Sequence, residues 1–411
     1  MKLDNQRFPR LTTKDGTTSY SLSPHYASTL EADKKAYVAL LRHLKAIDGD
    51  RHTVIIMQPQ NEMGVYGSVR DYSPKANALF AQQVPPALLS RLNKQAGTWS
   101  QVFGDDADEF FYAWSIASYV DQVAAAGKAV YPLPTYVNAA LKEPIKPQSP
   151  GSYPSGGPTW NVIDIYKAAA PHIDVLAPDL YTPESDSYEA TLKHYRRPDN
   201  ALFIAESGNK EVYARYLFSA LGQQAIGFDP FGFDYTGYAN YPLGAKNWGP
   251  EGVTPFARVY GLFAPMAREW AKLSFESEVR GVSEPDDHSA QEIDLGPKWT
   301  AKVTYREWQF GEQKWNPKGD FPDHSETPGG VVVAKLAEDE YLVTGLNARL
   351  TFGASKDLKD RVMMLDRVEE GRFENGKWIM LRVWNGDQTS DGLNFTDRAQ
   401  VLKVKLGTYV K

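Results

Sequence analysis

Two glutamates close apolar, strand-like runs: Glu62 in "VIIMQPQNEMG" (54–64) and Glu206 in "LFIAESG" (202–208). A carboxylate at the mouth of a buried strand loses hydration, a cost that is tolerated where the group is paired or put to use. Either glutamate alone reads as an ordinary strand-end residue facing a basic neighbour. Two of them, 144 residues apart and each closing a strand, suit cleavage of an acetal. One carboxyl must then be protonated to release the leaving oxygen, and the other ionised to meet positive charge at the anomeric carbon. The expectation assigns Glu62 as a partly buried acid/base and Glu206 as nucleophile. It places their carboxyl groups about 5 to 5.5 Å apart with retained configuration, whereas a separation beyond about 6.5 Å would mean inversion.

Alternating elements must position them. Leu30, Tyr37, Leu40, Leu41 and Leu44 recur at helical spacing, predicting a helix over 30–47, and "HTVIIMQPQ" then reads as a buried strand. Further helices are expected at 108–127, 161–170, 186–196, 211–222 and 254–272, with strands at 128–137, 173–181, 201–207 and 224–233. Such alternation implies parallel strands with right-handed crossovers, in an open sheet or a closed barrel. No glycine-rich phosphate turn follows any strand, and Glu62, Asn138, Asp179, Glu206 and Asp229 recur at strand ends, which favours a TIM (β/α)8-type barrel. Asn138 joins the expected substrate-contacting set on this ground.

"KEPIKPQSPGSYPSGGP" (142–158) has the composition of a linker, but its place between strand and helix argues for a long loop over the catalytic face. The polar stretch 276–298 is expected to link a catalytic domain, 1–275, to a C-terminal domain, 299–411. In the latter, β-branched and aromatic runs such as "GGVVVAKLA", "EYLVTGLNARLTF" and "QVLKVKL" alternate with turn signals, as in an antiparallel β-sandwich.

The 411 residues carry 45 Lys and Arg against 51 Asp and Glu, a net charge of −6, so no broad basic surface awaits nucleic acid. With 42% hydrophobic residues the chain has enough for a sizeable core, and no stretch approaches the ~20 uninterrupted apolar residues of a membrane span. The absence of cysteine excludes disulfides and thiolate sites, and leaves the compartment open. Seven histidines include no HExxH and no close pair, so neither a metal nor another cofactor is expected. "WNGDQTSDG" (384–392) reads as a hairpin turn rather than a calcium loop.

An Asn-Glu pair closing one strand and a Glu closing another three units later resemble the retaining barrel glycosidases of clan A. Within that group "VIIMQPQNEMG", "RFPRL" and "RVEEGRFENGKWIMLRVWNGDQTSDGLNFT" resemble bacterial β-galactosidase-like proteins related to glycoside hydrolase family 35. The resemblance implies an exo-acting β-galactosidase on oligosaccharides or β-galactosides. It gives Asn61 a hydrogen bond to the sugar 2-hydroxyl and Tyr181 a part in positioning Glu206, and it lets Phe231 or Phe233 stand where relatives place a tryptophan platform. A relative that binds carbohydrate but has lost catalysis is the rival reading, and oligomeric state is left open. By the same resemblance the strand at 54–62 would be the fourth, yet only 29 residues precede the first expected helix, where three units need ~93. The expectation is a barrel lacking its first three strands or completed by another chain, with correspondingly poor activity.

Overall fold

A computed structural model describes residues 4–233, 244–246, 249–307, 328–358 and 360–410. Two compact units comprise Met1–Leu180 with Arg197–Ala205, and Tyr181–Arg196 with Glu206–Lys411.

The first unit opens with a hairpin, β1 (Arg10–Thr12) and β2 (Thr18–Leu22), where the sequence reading expected no strand. Its turn is fixed locally: Thr17 N–H donates to Asp15 at 3.1 Å, and Gly16 takes a left-handed φ of +86°. Helix α1 (Ala27–Asp48) fulfils the periodicity, burying Tyr37 and Leu41. Short helices α2 (Pro74–Phe80), α3 (Pro86–Leu92) and α4 (Trp99–Phe103) follow, and their brevity hid them from a periodicity test. Helix α5 (Ala107–Lys128) lays Tyr119 and Val123 against Tyr37 and Leu41 in one apolar cluster.

The expected strand at 54–62 is reduced to a single parallel bridge, Met57 to Thr135, with Met57 N–H on the Pro134 carbonyl at 2.9 Å. Pro59 lacks a ladder donor and Ile55 is 70% exposed, so a hydrophobic run here has no matching burial. Past Pro132 and Pro134, β3 (Tyr136–Ala140) starts late. Helix α6 (Ile163–Ala169) then leads to β4 (Val175–Leu180), which pairs in parallel with β3 from Tyr136↔Val175 to Ala140↔Asp179. The 142–158 segment is a packed loop: Val65 and Ser155 exchange backbone hydrogen bonds at 3.0 and 3.1 Å, and Tyr153 is buried.

Helix α7 (Ser185–Tyr195), β5 (Phe203–Ser207), α8 (Tyr216–Gly222) and β6 (Gly227–Pro230) continue the alternation, and the parallel strands run in the order β3-β4-β5-β6. The expected helix at 254–272 is two, α9 (Pro250–Phe263) and α10 (Ala267–Glu276), divided by a 3-10 turn that contains Pro265. No helix among the described residues is long and apolar enough to cross a membrane.

The expected linker at 276–298 is instead sheet: β7 (Val279–Ser283) and β8 (Gln291–Asp294). They precede β9 (Trp299–Thr304), β10 (Gly330–Ala337), β11 (Glu340–Leu346), β12 (Ala348–Ala354), β13 (Arg361–Glu374), β14 (Lys377–Val383), β15 (Leu393–Phe395) and β16 (Val401–Val410). Two antiparallel sheets result, β14-β13-β16-β11-β10-β7 and β15-β12-β9-β8. Trp299, Val303, Leu350 and Phe395 of the smaller sheet share one core with Val331, Val343, Leu402 and Val404 of the larger. Helix α8 packs on β7, where Ser219 and Ser283 hydroxyls bond at 2.8 Å and a side chain on Gly281 would strike the Phe218 carbonyl. The β-rich unit thus begins well before residue 299.

Candidate active site

Asn138 on β3 is fully buried, and its amide is committed on both sides. Its Oδ1 accepts from Gln58 Nε2 at 2.6 Å and from the backbone N–H of Glu62 at 2.9 Å. Its Nδ2 donates to Asn61 Oδ1 at 3.0 Å and to Asp179 Oδ2 at 2.9 Å. Two bonds given and two accepted fix which way the amide faces. Register explains the reach to Asp179: Ala140 is opposite Asp179, and Asn138, two residues back, shares its face of the sheet.

The hub holds the Asn-Glu segment where no strand does. Glu62 has a left-handed φ of +43°, a conformation that costs a non-glycine residue about 1–3 kcal/mol and that clusters at functional sites. Its side chain is exposed, against the partial burial expected, because its residue lies in a bend beyond the bridge and outside any strand. Carboxylate oxygens of Glu62 and Asp179 lie within 4.8 Å of each other. Gly64, φ +123°, turns the chain back where a side chain would strike the Pro154 carbonyl, and so packs the segment on the 142–158 loop. Partial burial, and then the Glu62 charge, raise the pKa of the Tyr66 phenol.

In the second unit Glu206, half-buried near the end of β5, accepts a hydrogen bond from the Tyr181 hydroxyl at 2.6 Å. Tyr181 is itself held, since its carbonyl accepts from the Tyr213 hydroxyl at 2.5 Å. Its ring meets Phe231 edge-on, centroids 6.2 Å apart. Phe231 is anchored by its own backbone: its N–H bonds the Ser207 carbonyl and its carbonyl accepts from Asn209 Nδ2, both at 2.8 Å. Phe233 packs instead on Phe256, at 5.0 Å. Asp229, on the neighbouring β6, has its carboxyl pKa raised by desolvation.

A family profile described as "Domain of unknown function (DUF5597)" matches residues 256–396, from within α9 to just past β15 and less than half of the chain. The search of curated proteins gives no match. Among solved structures, the catalytic domain of a beta-amylase from Paenibacillus polymyxa is similar at a TM-score of 0.38 and 12% identity, over 55% of this chain and 68% of that one. A likeness this loose assigns neither a fold family nor an activity.

The residues singled out from sequence therefore fall in two groups: Asn61, Glu62 and Asn138 in one hydrogen-bonded hub, and Tyr181, Glu206 and Phe231 in another cluster. Sequence reasoning missed Gln58 and Tyr66 altogether, and took Asp179 for one strand-end acid among several. Gln58 carried a signal, since it is a polar residue inside an otherwise apolar run.

Proposed function

We propose that this chain is a retaining exo-β-glycosidase, a β-galactosidase on oligosaccharides or β-galactosides, related to the clan A barrel enzymes. Glu206 attacks the anomeric carbon to form a glycosyl ester while Glu62 protonates the departing oxygen. Glu62 then takes a proton from the water that releases the sugar. The observation that carries this reading is the short Tyr181–Glu206 hydrogen bond, which fixes the orientation of the carboxylate. The Asn138 hub supports the other half: it braces the backbone of Glu62 and the amide of Asn61, the group proposed for the sugar 2-hydroxyl.

The test is hydrolysis of a panel of nitrophenyl β-glycosides with the product anomer followed by NMR. Retained configuration is expected, with kcat in Glu206→Gln lower by about 10⁴-fold or more. Inverted product would mean that Glu206 is a base and not a nucleophile. Wild-type protein that binds sugar but cleaves nothing would mark a carbohydrate-binding relative without catalysis.

A further inference from the structure

A cavity of about 450 Å³ opens on the β-rich unit, at the end of β14 and the approach to β16. Its volume falls within the roughly 300–1,000 Å³ of small-molecule sites. One carboxylate braces it. Glu370 on β13 accepts from Trp384 Nε1 and Arg382 Nε, each at 2.8 Å, and from Gln400 Nε2 at 3.4 Å. Three lining side chains, two from the end of β14 and one just before β16, are thus held by one acceptor, and the indole ring is fixed through its only donor. A one-turn helix, Gly386–Thr389, forms another part of the wall. Its start is locked reciprocally, with Gln388 N–H on Asn385 Oδ1 at 3.3 Å and Asn385 N–H on Gln388 Oε1 at 3.1 Å.

The lining also says what would fit. Its charged groups balance, Arg382 and Arg398 against Asp387 and Asp397, and the rest are amides, a hydroxyl and the indole. A wall with no net charge gives a phosphate or polyanion little to neutralise. Planar carboxylates, amides and guanidinium groups offer paired donors and acceptors that match adjacent hydroxyls. We infer that this cavity is a second carbohydrate site that binds one or two units of a neutral sugar. It goes beyond the proposed hydrolysis, and none of the residues proposed for that reaction lines it.

The experiment uses the full chain carrying Glu206→Gln, so that no substrate is consumed. Methyl β-galactoside, methyl β-glucoside and cellobiose are titrated while NMR follows the Trp384 indole N–H and the Gln388 and Gln400 side-chain amides. The expected result is a saturable shift of these resonances with at least one sugar and none with inorganic phosphate. Adding Gln388→Ala and Asp397→Ala removes hydrogen bonds worth about 1 kcal/mol each and weakens binding by about tenfold or more, with the Trp384 signal still dispersed as in a folded protein. The inference is overturned if no sugar moves these signals, if phosphate moves them as strongly, or if the added substitutions leave affinity unchanged. Hydrolysis is scored separately, in wild type and in Gln388→Ala/Asp397→Ala without the Glu206 change. Either reading can thus fail while the other stands.

Discussion

The polar hubs around Asn138 and Glu370 are built in opposite ways. Glu370 is a carboxylate ringed by donors, namely an indole, a guanidinium and an amide, and the hydrogen bonds from Trp384 and Arg382 outweigh its burial to hold its pKa below the usual carboxylate range. Asn138 is a neutral amide whose bonds gather the Asn-Glu segment and Asp179, bringing two carboxylates within 4.8 Å. The first arrangement matches charge to donor and stabilises the fold. The second collects two carboxylates beside a strained turn, an arrangement that on the proposed function serves the reaction. The contrast separates a hub that shapes a wall from one proposed to present reactive groups.

Substitutions at the two centres break or sharpen this contrast. Asn138→Ala is expected to have the largest effect. Releasing the Glu62 backbone lowers kcat by about 10²-fold, and losing the buried hydrogen bonds of Asn138 costs about 1–3 kcal/mol, read from nitrophenyl glycoside kinetics and urea midpoints. Stability alone should change at His25, which belongs to the same unit but lies outside the Asn138 hub. Burial, only partly offset by Asp71, depresses its pKa from 6.5 to about 4, and its buried Nε2 has no hydrogen-bond partner. The unfolded chain takes up this proton near pH 6.5 and the native state only near 4. Stability is therefore full above about pH 6.5 and falls by up to about 3 kcal/mol on acidification to pH 4. His25→Phe, keeping the stack on Phe111, removes that component from urea midpoints measured across this range.

Glu370→Gln weakens two hydrogen bonds to a charged acceptor and costs about 2 kcal/mol, while kcat for hydrolysis stays at the wild-type value. An equal loss of hydrolysis would erase the distinction between the hubs. Tyr181→Phe is the mildest: loss of the hydroxyl on Glu206 lowers kcat by roughly tenfold, and the melting temperature barely moves.

The long helices were legible because apolar residues such as Tyr37, Leu41, Tyr119 and Val123 fall on one face. Residues 54–58 misled the same test: hydrophobicity predicted a strand, but pairing needs a partner and a run of donors, and the segment found one bridge before Pro59. Strands β7 and β8 were hidden by polarity, since each leaves part of its length facing solvent and so resembles a linker in composition. At the candidate site, carboxylates at strand ends were visible from residue type alone. The bonds that organise them, from Gln58 and Asn138 across 76 to 80 residues, are set by register and could not be.

A single residue, Asn347, separates β11 in the larger antiparallel sheet from β12 in the smaller, and it turns the corner in a left-handed conformation, φ +47°, while buried. Tension on either sheet is therefore transmitted to the other through one residue with no slack to absorb it. The two layers are expected to come apart in one cooperative step, and a protease that severed this corner would loosen both at once.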